Sequence, residues 1–215
     1  MLLCSIVRRV ILASSNHVMG GYKDDPSYGP SSIYPHSDPR VGTTPLNPNL
    51  LDSSGDGKAY AAAKLAGERL AMTLANLYAD TTTFVVLRIG WCQPGDNLPS
   101  TLSAAGSPPQ FLLDANVTEK EEEENAAAAV AAENDKKDEA WYKRMWLSNH
   151  DFLQYFDAAI HLDVPTKEEA ADGVHRNVRR GFVLVNAMSR NSGAKWNLDE
   201  TEKWLGVMSR DDSMA

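Results

Sequence analysis

AYAAAKLAGERLAMTLANLY (59–78) is followed, four residues later, by TFVVLRI (83–89). The first segment is dense in alanine and leucine, with Leu65, Leu70, Leu74 and Leu77 near one face, and it predicts a helix. The second is a β-branched and apolar run, and it predicts a strand covered on both faces. Upstream, Val7–Ala13 is another short apolar run of the same kind. Downstream, Phe152, Tyr155, Phe156, Ala159 and Ile160 fall at helical spacing within 146–162. Residues 181–186 read as a third strand, and Leu198–Leu205 as a short terminal helix with Asn197 as its N-cap. Strand and helix thus alternate three times, the pattern of an α/β fold with a parallel sheet flanked by helices. Three strands are few for a doubly wound sheet. The chain reads as the C-terminal part of one, a single incomplete domain over 1–215 that is truncated at the N-terminus.

Two stretches interrupt the alternation. Residues 20–57 are rich in Gly, Pro, Ser, Asp and Asn and predict a long loop. Residues 106–140 form an insertion whose core, from Thr118 to Ala140, is acidic at its start, alanine-rich in the middle and basic at Lys136 and Lys137. It has too few large apolar side chains to be core and reads as a solvated helix or a disordered insertion.

The totals exclude several classes. A net charge of −8 argues against nucleic-acid and acidic-membrane partners. Two cysteines, Cys4 and Cys92, make no disulfide framework, so a reducing, cytoplasmic setting is expected. No apolar run reaches transmembrane length. The five histidines show no ligand spacing, so no metal site is expected; His150-Asp151 is read as capping or orienting a helix.

The chemistry-bearing residues gather at the strand ends. The first apolar run leads into Ser14-Ser15-Asn16-His17. A tyrosine, Tyr60, opens the helix, with Lys64 four residues on and therefore on the same face. An ammonium beside a phenol favours the phenolate, so the pair suits a base that removes a proton from an alcohol.

These residues carry a family resemblance. Ser14-Ser-Asn-His-Val-Met-Gly20, Tyr60-Ala-Ala-Ala-Lys64-Leu-Ala-Gly67-Glu68, Leu87-Arg-Ile-Gly-Trp-Cys92 and Arg144-Met-Trp-Leu-Ser-Asn-His-Asp-Phe152 resemble the extended short-chain dehydrogenase/reductases, the NAD-dependent epimerases and dehydratases. Within them the chain is most similar to uronate dehydrogenases. The resemblance implies a Rossmann-like fold and NAD as cofactor, with NADP not excluded. It implies a sugar substrate, oxidation of a uronic acid at its anomeric hydroxyl to a lactone, and a possible homo-oligomer. It gives Ser15, Tyr60 and Lys64 catalytic roles. Tyr60, Lys64, Ile89, Gly90 and Cys92 would border the cofactor, and Ser15, Asn16, His17, Trp91 and Arg144 the substrate, with Arg144 pairing a carboxylate. A nucleotide-sugar epimerase or dehydratase would use the same triad, and a remnant that only binds a partner chain is the non-enzymatic alternative. The chain departs from the family pattern in three respects. It has no glycine-rich phosphate loop. Ser15 and Tyr60 stand 45 residues apart, and an indole at Trp91 narrows the sugar pocket.

Overall fold

A computed structural model describes residues 7–23, 25–42, 51–102, 139–162 and 177–215, without the side chains of 51–57 and 101. Most of the 106–140 insertion, part of the 20–57 loop, and Cys4 lie outside these residues. Four strands form one sheet: β1 (Arg9–Ser15), β2 (Thr83–Ile89), β3 (Val178–Arg179) and β4 (Phe182–Ala187), in the order β1-β2-β4-β3. β1, β2 and β4 run parallel, and β3 is antiparallel to β4. The sheet is therefore mixed, where the sequence predicted only parallel strands. The two-residue β3 is too short to leave a periodic signal. Its turn into β4 needs Gly181, at φ +73, where a Cβ would also stand 2.9 Å from the Cα of Ala79.

Strand periodicity divides the core into two layers. Even-numbered side chains (Val10, Leu12, Phe84, Val86, Phe182, Leu184) pack with Ala71 and Ala75 of helix α1 (Leu51–Tyr78). Odd-numbered ones (Val85, Leu87, Val183, Val185, Ala187) pack on the other face with Tyr155 and Ala159 of α2 (Asn149–His161) and Leu205 of α3 (Asp199–Leu205). The result is an α/β fold with helices on both faces of the sheet. A third apolar cluster lies beyond the C-terminal strand ends and includes Val18, Met19, Ile33, Trp141, Met145, Met188 and Trp196. Among the described residues, no helix is long and apolar enough to cross a membrane.

Several expectations shift. β1 continues through Ser14 and Ser15, where the polar side chains had suggested its end. Residues 51–57, read as loop, are the first turns of α1, so Tyr60 lies well inside the helix and does not open it. The buried face of α1 is Ala61, Glu68, Ala71 and Ala75, whereas Leu70 and Leu77 are exposed at 59% and 70%. Small side chains let the helix approach closely; a Cβ at Gly67 would stand 3.4 Å from Leu12 Cδ2. Ile160 also faces outward. The N-cap of α2 is Ser148, whose Oγ accepts from Asp151 N at 2.9 Å, so His150-Asp151 does not cap it. The fully buried Asp151 instead accepts from Ser189 Oγ, Arg210 N and Asp211 N, fastening the C-terminal segment. Asn197 stands one residue before the N-cap of α3, and its Oδ1 accepts from Asp199 N.

One buried polar network spans the layers. Arg88, within the apolar run of β2, donates to both oxygens of Glu68 on α1, Nε to Oε1 at 2.9 Å and Nη2 to Oε2 at 2.8 Å. Ser14 Oγ donates to the same Oε1 at 2.6 Å, and Arg88 Nη1 donates to Pro35 O at 3.0 Å. β1, β2, α1 and the 25–42 segment are thereby joined through one ion pair.

Candidate active site

The C-terminal ends of β1 and β2 are register neighbours, with Ser15 opposite Ile89. Side chains that leave the two ends therefore share one space. A cleft of about 440 Å³ opens there, lined by Ser15, Asn16, His17, Tyr60, Ile89, Gly90, Trp91 and Cys92. In open α/β sheets, the crevice beyond the carboxyl ends of parallel strands is where ligands bind.

β1 gives way at Asn16 to a 3₁₀ helix, Asn16–Tyr22, capped by Ser15. Ser15 Oγ accepts from His17 N at 3.2 Å and stands 3.2 Å from His17 Nδ1. Its contact to Asn16 Oδ1 is longer, 3.4 Å. Asn16 donates through Nδ2 to Met145 Sδ, which ties the cleft to the cluster behind it. The His17 ring meets Tyr60 edge-on at 5.8 Å between centroids and Trp91 at 6.3 Å. Burial holds His17 below its ordinary pKa, because the imidazolium would lose its hydration. Its neutral form is therefore the one present at pH 7.

Lys64 donates from Nζ to Ala13 O on β1 at 2.8 Å and stands 5.4 Å from the Tyr60 ring centroid. The strand thus fixes the ammonium beside the phenol. Among the described residues, no hydrogen bond joins Tyr60 to Ser15 or Lys64. The floor is set by Gly90: a Cβ there would stand 2.2 Å from Met145 O, so only glycine permits the approach. Trp91 then donates to Met145 O at 2.7 Å and accepts from Leu147 N at 2.9 Å, a one-residue extension of the sheet that holds the indole at the cleft. Cys92 is open to solvent as a residue, yet its thiol is directed toward Gly90 O, 3.9 Å away. Desolvation pushes it up to about 11, so it is a neutral thiol at pH 7.

Arg144 is not in the cleft. Its guanidinium lies over the turn at Gly193, where a Cβ would stand 3.1 Å from Nε. The residues read from the sequence are otherwise brought together. What sequence reading missed is the support behind them: the Lys64 tether to Ala13 O and the Glu68–Arg88 pair, which holds Ser14 next to Ser15. An arginine inside a buried apolar strand was itself a signal, because such a charge requires a partner. His150, Asp151 and Asp211 bring ligand-type atoms within 4.8 Å of one another, but Asp151 is already engaged with the C-terminal segment.

The chain matches no protein-family model, no curated protein and no solved structure.

Proposed function

We propose that this chain is a nicotinamide-dependent oxidoreductase, built on a Rossmann-like sheet, that interconverts a secondary alcohol and its carbonyl. The observation that carries this reading is the cleft at parallel strand ends lined by Ser15, Tyr60 and Ile89–Cys92, with Lys64 tethered beside Tyr60. One of the three Lys64 N–H donors is used on Ala13 O, and the other two suit the hydroxyls of a nicotinamide ribose. The donor set therefore fits that end of NAD or NADP. A bound nicotinamide would supply the two-electron acceptor for the hydride of the carbinol C–H bond.

The chain's own residues supply the rest. Ser15 Oγ hydrogen-bonds the reacting oxygen. Tyr60 Oη acts as the base that takes the O–H proton, and the carbonyl π bond forms from the oxygen's electron pair. Lys64 places its ammonium beside the Tyr60 ring. His17, neutral at pH 7, braces the Tyr60 ring and adds no charge. Ile89 and Trp91 line the cleft beside them. A uronate would bring a carboxylate, and the arginine assigned to it, Arg144, lies over Gly193 instead. The geometry favours the general alcohol and carbonyl class over the sugar acid.

The test is Tyr60→Phe, read against a panel of alcohols and ketones with both cofactors. Turnover should fall by about a hundredfold or more, the usual contribution of general acid–base catalysis, with the melting temperature unchanged. Retained turnover would remove Tyr60 as the base.

A further inference from the structure

A second cleft, of about 380 Å³, lies on the α1 face of the sheet and shares no lining residue with the first. Its volume is in the range of small-molecule sites. α1 forms one wall, the 35–39 segment another, and β3 and β4 the base. The Arg88–Glu68 pair lies at its floor and is internally neutralised.

Three features give it a definite chemistry. Arg69 of α1 and Arg179 of β3 both line it and are exposed, and neither guanidinium has an ion pair or hydrogen bond among the described residues. Asp38 offsets one of these two charges and, with His36 of the lining engaged by Glu200 at 2.8 Å, the remaining lining side chains carry an excess of one positive, on a chain whose overall charge is −8. Phe182 and Met72 add an apolar wall. Asn177, 2% exposed, spends its Nδ2 on Leu184 O at 2.9 Å, while its buried Oδ1 has no partner among the described residues. A buried acceptor left unfilled costs stability unless a donor meets it.

We infer that this cleft is a second binding site, for a small oxyanion on an apolar body that also carries an N–H or O–H donor. The oxyanion, a carboxylate or a phosphate monoester, is taken by Arg69 and Arg179. The apolar body lies on Met72 and Phe182, and the donor reaches Asn177 Oδ1. The site does not depend on the oxidoreductase reading, because none of its residues belongs to the strand-end cleft.

Calorimetric titration of the full chain with phenyl phosphate, benzoate, 4-hydroxybenzoate, inorganic phosphate and benzyl alcohol tests it. Phenyl phosphate or benzoate should bind, 4-hydroxybenzoate should bind more tightly than benzoate because its O–H can meet Asn177 Oδ1, and Arg69→Gln/Arg179→Gln should weaken the binding of all three about tenfold or more. Tyr60→Phe should leave it unchanged. Both arginines are exposed, so the double variant should fold, and its melting temperature verifies that. Inorganic phosphate binding as tightly as phenyl phosphate would overturn the apolar part of the proposal. No binding of either aryl anion, benzyl alcohol binding as well as benzoate, or binding indifferent to the arginines would overturn the site.

Discussion

Removing Arg88 alone should damage this protein more than removing it together with its partner. The Arg88 and Glu68 side chains are 2% and 4% exposed, so both charges are almost wholly withdrawn from water in the folded state. Arg88→Met leaves the Glu68 carboxylate buried with only Ser14 Oγ as a donor, and Glu68→Leu leaves the guanidinium with only Pro35 O. Breaking one side of a buried pair costs about 3–5 kcal/mol. That is a large share of the roughly 5–15 kcal/mol by which domains are stable. Replacing both with apolar side chains removes the desolvation cost of each. What remains is mainly the unmatched Ser14 hydroxyl and Pro35 carbonyl, at about 1–3 kcal/mol each where no water reaches them. The double variant should thus be no less stable than the worse single, with a coupling of about 2 kcal/mol or more. Urea unfolding followed by tryptophan fluorescence reads this. With a slope of about 2 kcal/mol/M, a loss of about 4 kcal/mol lowers the midpoint by about 2 M. An Arg88→Met protein within about 1 kcal/mol of the parent, or additive single effects, would refute the reasoning.

Gly90→Ala forces a Cβ to within 2.2 Å of Met145 O, so the Trp91–Met145 hydrogen bond must give way. A loss of about 2 kcal/mol or more is expected from thermal unfolding, and a loss below about 0.5 kcal/mol would mean the approach is not constrained. His17 carries a lowered pKa by burial, so the folded state resists protonation where the unfolded chain, at 6.5, accepts it. Stability should therefore be flat for this group above 6.5, decline as pH falls through 6.5, and level off below the folded pKa. His17→Gln should remove that part of the acid-side slope, and an unchanged slope would exclude His17 as its source. Cys92, raised to about 11, should react with iodoacetamide in a Cys4→Ser background far more slowly at pH 7.5 than a free thiol, accelerating up to about pH 11. Rapid labelling at pH 7.5 would show that its thiolate is readily formed.

The strands were legible because Val, Ile, Phe and Leu in unbroken short runs have few other uses, and TFVVLRI is β2 residue for residue. The cleft was legible for a related reason: the polar residues that follow two such runs must gather where the strands end. The burial pattern of α1 was not. Leucine periodicity pointed to Leu70 and Leu77, but the sheet accepts the alanine face because it allows closer approach. Arg144 was drawn into the site by resemblance alone, and its neighbour across the turn, Gly193, leaves the space in which its guanidinium lies. Local patterns carry no trace of such distant partners. The same holds for Asp151 and the backbone of Arg210 and Asp211.

The pairing of β2 with β4 also governs how freely this chain can vary in length. Ile89 stands opposite Ala187, so that contact closes a loop of roughly a hundred residues, within which the acidic and alanine-rich run at 118–140 falls. Closure entropy grows only with the logarithm of loop length. The Trp91–Met145 hydrogen bond closes a shorter loop around the same run, and deleting the run would change that closure cost by only about 0.5 kcal/mol. The rate of folding answers to a different quantity. Contacts this distant in sequence place the fold among those that assemble slowly, and β2, flanked by β1 and β4, must wait for both neighbours to arrive from far along the chain. Lengthening or shortening the run thus changes the closure term little, while the pairing of the central strand depends on both of its distant neighbours.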